Sequence, residues 1–143
     1  MATYVKYQTF AGDLVGKVHD LLGTAGTTAD TLKLMLSNAA PNVATHTVRA
    51  DVTELATAGG YTSGGQSCQN VATTTTGTVT LVCTDITWNF TGAVTFRYVI
   101  MYNDTPTSPV DPLVSYWDYG SGITTANGDT FLADFGSNTF TLA

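Results

Sequence analysis

The sequence has few charged side chains and little of the chemistry that enzymes use. Only 5 basic and 11 acidic residues occur among 143, and Glu54 is the sole glutamate. The two histidines, His19 and His46, have no Ser or Cys nucleophile at a recognisable spacing. We therefore expect both histidines to have surface or capping roles, and the protein to have no catalytic residues and no cofactor.

The shortage of basic residues also argues against nucleic-acid binding. The formal net charge is -6, and the five basic residues are scattered along the chain. Binding to phosphate backbones depends on clustered Lys and Arg. No apolar run approaches the length that spans a bilayer, and residues 1–4 lack the pattern of a signal peptide. We expect no nucleic-acid or membrane partner, and synthesis in a cytoplasm.

Threonine and glycine are abundant instead. Threonine makes up about a fifth of the chain and glycine contributes 14 residues. Because β-branched threonine suits the solvated face of a pleated sheet, this composition is typical of a β-rich structural protein. The hydrophobic fraction of 43% is enough for one core. We expect a single domain over residues 1–143.

The first part of the chain contains one predicted helix. Phe10, Leu14, Val18 and Leu21 recur at spacings of three and four residues, and Gly23 is well placed to end the helix. A strand over residues 15–20 is the alternative interpretation. Residues 1–9 are expected to form an extended arm.

The rest of the chain alternates strand-forming runs with turn signals. This pattern predicts a mainly β fold, an antiparallel β-sandwich or jelly roll with one short N-terminal helix and an extended N-terminal arm. The predicted strands cover residues 31–37, 48–52, 67–72, 78–84, 88–90, 94–102, 113–117, 131–135 and 139–142.

The two cysteines lie on either side of a threonine-rich segment. If residues 74–77 form a four-residue hairpin loop, Cys68 lies directly opposite Cys83, within disulfide reach. One hypothesis is that the pair is reduced inside the cell and oxidised after release. The alternative is that the two residues are merely small and buried.

Two further features indicate specific contacts. The glycines of segment 59–65 flank Tyr61, which we expect to be pinned against the protein body or a neighbour. Arg97 interrupts an apolar strand, and a charge in that position needs a partner. Asp118 is the candidate for a structural ion pair with Arg97. The alternative is that this face of the strand meets solvent or a neighbouring subunit.

Several segments together resemble a family of small virion proteins of tailed bacteriophages. They are DVTELA at residues 51–56, GYTSGG at 60–65, FRYVIMYND at 96–104, DPLVSYWDYG at 111–120 and GDTF at 128–131. The resemblance covers nearly the whole chain in order, and its motifs are structural rather than catalytic.

The resemblance implies a capsid decoration, or cement, protein. Such a protein would be a homotrimer on the outer surface of the virion, where it bridges major capsid protein subunits. Aromatic side chains often dominate interface energy, and the candidates here are Tyr4, Tyr7, Phe10, Tyr61, Tyr116, Trp117 and Tyr119. The arm carrying the first three could add a strand to a neighbour. The alternative function is a tail-fibre or baseplate module that binds a host surface glycan.

Overall fold

A computed structural model describes residues 2–22, 29–68, 70–137 and 139–142. This part of the chain contains ten strands, one α-helix and one turn of 3-10 helix. The helix α1 is Phe10–Val15, and the 3-10 turn is Arg49–Asp51. The strands are β1 Thr3–Lys6, β2 Leu32–Ser37, β3 Gln66–Cys68, β4 Asn70–Thr75, β5 Thr78–Cys83, β6 Ile86–Asn89, β7 Thr95–Asn103, β8 Leu113–Thr124, β9 Thr130–Ala133 and β10 Phe140–Leu142.

The described strands form three antiparallel sheets in a sandwich-like arrangement. The largest has five strands in the order β1-β8-β7-β2-β3. The second has three strands in the order β10-β5-β4, and the third pairs β6 with β9. The predicted fold class, mainly β with antiparallel sheets and one short helix, is therefore confirmed.

The five-stranded sheet is buried on both faces. Along β2, Leu34 and Leu36 enter a sandwich core shared with the two smaller sheets, while Met35 enters an outer core on the opposite face. The same alternation along β7 places Met101 in the sandwich core and Ile100 in the outer core. Because side chains alternate across a strand, a continuous apolar run can fill two cores at once.

The helix is shorter than predicted. It ends at Val15, followed by Gly16, and Lys17 adopts a left-handed backbone with φ of 62°. A side chain in that conformation cannot continue a right-handed helix. The periodic apolar residues beyond Val15 therefore do not form further helical turns, and the alternative strand over residues 15–20 is absent as well. Gly23 lies outside the described residues.

Two strand predictions need correction. Residues 48–52 contain the 3-10 turn rather than a strand, although Val48 makes a single bridge to Pro112.

The β4–β5 hairpin has a two-residue turn, Thr76 and Gly77, both with positive φ. This is the turn geometry that two-residue hairpins favour. It places Asn70, not Cys68, opposite Cys83.

The predicted N-terminal arm is extended, but it belongs to the chain's own sheet. β1 pairs antiparallel with β8, and Tyr4 lies opposite Trp117. Tyr7 and Phe10, predicted as contacts to a neighbour, are fully buried in the domain. The arm is therefore not free to reach another subunit, because its apolar side chains complete the domain's cores.

Tyr7 and Tyr4 provide a direct test of this correction. Replacing the buried Tyr7 with Ala should lower the free energy of unfolding by about 3 kcal/mol, the usual cost of removing a large core side chain. Tyr4 on the same segment is 39% exposed, so Tyr4→Ala should cost under about 1 kcal/mol. Urea unfolding followed by fluorescence measures both. Equal effects of the two substitutions would contradict the assignment of Tyr7 to the core.

Candidate functional site

The seven aromatic residues predicted as interface contacts divide into two groups. Tyr7, Phe10 and Tyr61 are at most 1% exposed, so the interface prediction is wrong for them. The other four retain exposed surface and lie on β1 and β8. They are Tyr4, Tyr116, Trp117 and Tyr119.

Three rings form an aromatic row, which we define as Tyr4, Trp117 and Phe135. Trp117 lies edge-on to both neighbours, with ring centroids 5.5 Å from Tyr4 and 5.4 Å from Phe135. Phe135 follows β9, and sequence reasoning gave it no role. Its position beside Trp117 depends on how the two-stranded sheet packs on β8. The row presents large, partly exposed apolar surface with ring positions fixed by edge-to-face packing.

A groove adjoins the aromatic row where two sheets end. β1 is an edge strand of the five-stranded sheet, and β10 is an edge strand of the three-stranded sheet. Tyr4, Lys6 and Phe10 line one side of the groove, residues 139–142 line the other, and the volume is about 500 Å³. Edge strands carry backbone groups that another strand can pair with. Tyr4 belongs to both the groove and the row, so the two form one continuous surface.

The Arg97–Asp118 ion pair is present. Arg97 Nε donates to Asp118 Oδ1 at 2.7 Å, and Nη2 donates to Oδ2 at 2.9 Å. The pair lies at an irregularity in the pairing of β7 with β8. Phe96 pairs with Ile123, but the next pair is Tyr98 with Asp118, so β8 has more residues than β7 between the two pairs. The Arg97 guanidinium and the Gly120 N–H hold the pKa of Asp118 below its ordinary value. The pair therefore fixes the β7–β8 register at a bulge.

Glu54 is the centre of a second polar network. Its Oε1 accepts hydrogen bonds from the Tyr61 hydroxyl at 2.6 Å and from the Gly64 N–H, while Oε2 accepts from Arg49 at 2.7 Å. The Tyr61 hydroxyl in turn accepts the Leu36 N–H of β2 at 3.1 Å. The prediction that Tyr61 is pinned is confirmed, and its contact is the protein's own sheet.

This network attaches the glycine-rich loop to the five-stranded sheet. Tyr102 of β7 donates its hydroxyl to the Gly64 carbonyl at 2.8 Å. Gly65 has φ of 65°, and a Cβ there would overlap the Leu34 carbonyl. Burial opposes ionisation of Glu54, yet the hydrogen bonds from Tyr61, Arg49 and Gly64 keep its pKa below the ordinary value. Glu54 is thus an ionised structural group rather than a free acid or base.

His19 belongs to a buried cluster, so the expected surface or capping role is wrong for this histidine. Asn103 Nδ2 lies 3.0 Å from His19 Nδ1 and donates to Asp30 Oδ2 at 2.6 Å. Because Nδ1 faces an amide donor, we assign the neutral tautomer with its proton on Nε2. Burial lowers the pKa of His19, although Asp13 and Asp30 oppose the shift.

Neither a metal centre nor a membrane span is found in the described residues. No group of three or more His, Cys, Asp or Glu side chains there could hold a metal ion. No helix within the same ranges is long and apolar enough to cross a membrane.

Comparison of the chain with protein-family models, with curated proteins and with solved structures gave no match. The residues described above are therefore the basis for any functional proposal.

The Glu54 network should contribute strongly to stability. Glu54→Gln removes the charge that accepts four hydrogen bonds, two of them from Arg49, and Tyr61→Phe removes one donor and the acceptor for Leu36. Each substitution should lower the free energy of unfolding by about 1–3 kcal/mol. A double-mutant cycle by urea unfolding should give less than the sum of the two, since both substitutions break the same bond. Additive effects would contradict a shared network.

The same network should make the free energy of unfolding depend on pH in the acid range. Because the pKa of Glu54 is lower in the folded state than its ordinary value of 4.5, the stabilisation is complete above that value. It disappears as the pH falls through the folded-state pKa. As the pH is lowered from 5 to below the folded-state pKa of Glu54, the free energy of unfolding should therefore decrease less in Glu54→Gln than in the wild type.

His19 should give a separate pH dependence at higher pH. Its folded-state pKa is below the ordinary value of 6.5, so the unfolded chain binds the proton more readily. Stability should fall as the pH is lowered from 7 through 6.5. NMR titration should place the His19 midpoint below 6.5. His19→Gln should flatten this dependence and the control His46→Gln should retain it; a His19 midpoint at or above 6.5 would refute the assignment.

Proposed function

We propose that this chain is a capsid decoration protein of a tailed bacteriophage. It would bind the outer capsid surface and bridge major capsid protein subunits, stabilising the head. The sequence resemblance supplies the class of protein. The structural observation that carries the proposal is the continuous surface formed by the aromatic row and the groove at the β1 edge.

The distribution of charge supports a binding role over catalysis. Three of the five basic residues make ion pairs within the chain: Lys33 with Asp104, Arg49 with Glu54, and Arg97 with Asp118. The carboxylates of Glu54 and Asp118 accept hydrogen bonds from their own chain and fix loops and register. These acidic groups have structural partners, and the aromatic row supplies the contact surface.

A mainly aromatic contact surface suits a virion particle. Contacts made by Tyr4 and Trp117 depend on apolar burial, which dissolved salt does not screen as it screens exposed charge pairs. In the proposed homotrimer, several such surfaces would act together, so that modest individual affinity gives stable attachment. Light scattering of the purified protein in low and high salt tests for a salt-resistant trimer.

The β1 edge is the place where we propose a capsid subunit attaches. The N-terminal segment does not donate a strand, because β1 already pairs with β8. The open side of β1 can instead accept a strand, with apolar side chains of the capsid subunit entering the groove beside Tyr4. The direction of strand exchange is therefore reversed from the expectation based on a free arm.

Tyr4 gives the sharpest test of this function. Tyr4→Ser should weaken co-sedimentation with undecorated capsids by about tenfold or more, as expected when an aromatic anchor is lost. Val71→Ser is the matched control, because Val71 is 57% exposed and lies on β4 at the far edge of the three-stranded sheet. It should bind as the wild type does. Undiminished capsid binding by Tyr4→Ser would contradict the proposed surface.

A tail-fibre or baseplate module that binds a host glycan is the second candidate. The observation that favours it is a small pocket of about 30 Å³, lined by Trp117, Tyr119 and Phe135 together with Asp134. Aromatic rings that pack on apolar sugar faces and a carboxylate that accepts hydroxyl hydrogen bonds are suitable partners for a saccharide. Binding of the purified protein to host polysaccharide, with no binding to capsids, would favour this function.

A further inference from the structure

The two cysteines lie at the junction of two sheets rather than across one hairpin. Cys68 is on β3, at one edge of the five-stranded sheet, and pairs with Leu32. Cys83 ends β5, the central strand of the three-stranded sheet. Both thiols are free and buried in the sandwich core, and Cys68 lies two residues before Asn70, the residue that pairs with Cys83. The pair therefore lies where the chain passes from the five-stranded sheet to the three-stranded sheet.

Each cysteine makes a hydrogen bond to a different residue. The Cys68 thiol donates to the Leu32 carbonyl at 3.5 Å, and the Cys83 N–H donates to Thr139 Oγ1 at 2.8 Å. A disulfide requires the two sulfurs to approach to about 2.05 Å, and burial in one core keeps both side chains in the same part of the domain.

We propose that Cys68 and Cys83 are a redox-dependent site that joins the two sheets by a disulfide bond. A low-molecular-weight disulfide such as oxidised glutathione is the oxidant. One protein thiolate attacks it, forming a mixed disulfide and releasing one glutathione thiol. The second protein thiolate then attacks the cysteine sulfur, and the second glutathione leaves. Two protein thiols are oxidised, one disulfide reagent is reduced to two thiols, and two protons go to the leaving thiolates.

The bond would secure the β4–β5 hairpin at its base. Most of the described β4 side chains are solvent-exposed, and the hairpin is anchored in the sandwich core mainly by Leu81 and Cys83 of β5. A covalent link from Cys83 to Cys68 closes a loop of about 15 residues and restricts the unfolded chain. Reduction in the cytoplasm and oxidation after release is the part of the inference that rests on the proposed virion function. Formation of the bond does not depend on it.

The test is oxidation of the full chain by glutathione disulfide, in the folded state and during refolding from urea. Intact mass should fall by about 2 Da, for the loss of two hydrogens, in a monomeric product. The midpoint of thermal unfolding should rise by about 6–12 °C and return to its starting value with dithiothreitol. Cys68→Ala and Cys83→Ala should show neither the mass loss nor the reductant-sensitive shift.

Two results would overturn the inference. One is the absence of an intramolecular disulfide in both the folded and the refolding samples, including the case in which only glutathione adducts form. The other is a disulfide that lowers the unfolding midpoint, because the sheets would then be strained rather than joined. Neither result bears on capsid binding, which is measured with the reduced protein, so failure of this proposal is distinguishable from failure of the decoration function.

Discussion

Much of the remaining structure depends on the hydrogen bonds that the ionised Glu54 carboxylate accepts. It accepts hydrogen bonds from Tyr61, Gly64 and Arg49. The Tyr61 hydroxyl in turn accepts a hydrogen bond from the backbone of β2. The loop held in this way covers the five-stranded sheet, whose two faces both need burial. Loss of any one of these hydrogen bonds leaves a partly buried carboxylate less well satisfied and lowers stability. A chain with one glutamate therefore uses that residue to attach a loop to its central sheet.

The fold class was predictable because threonine-rich alternation and turn signals act locally. Most strand positions follow from such patterns, including β5 and β7. The helix length was not predictable, since apolar periodicity continued past Val15 while the backbone reversed at Lys17. The arm was misjudged for a related reason. An apolar N-terminal segment has the same sequence pattern whether it completes its own sheet or a neighbour's.

The interaction surface was predictable only in part. An isolated charge in an apolar strand indicated that Arg97 needs a partner, and Asp118 was found because β7 and β8 pair. The sequence does not distinguish Tyr61 from Trp117 as interface candidates, yet Tyr61 is buried in a hydrogen-bonded loop and Trp117 is partly exposed. Phe135 joined the aromatic row through packing between sheets, which has no local signal. The scarcity of glutamate and the position of Glu54 in the DVTELA segment were the sequence features that could have drawn attention to this residue.

The two-residue turn of the β4–β5 hairpin makes this domain a candidate scaffold for peptide display. A Cβ at Gly77 would meet no atom within 4 Å, so the turn projects into open space. Exposed loop tips of this kind accept insertions with little loss of folding. The antiparallel pairing of β4 and β5 would hold both ends of a guest sequence at a fixed spacing. A guest peptide inserted there would be presented as a constrained loop, away from the paired backbone that holds the domain together.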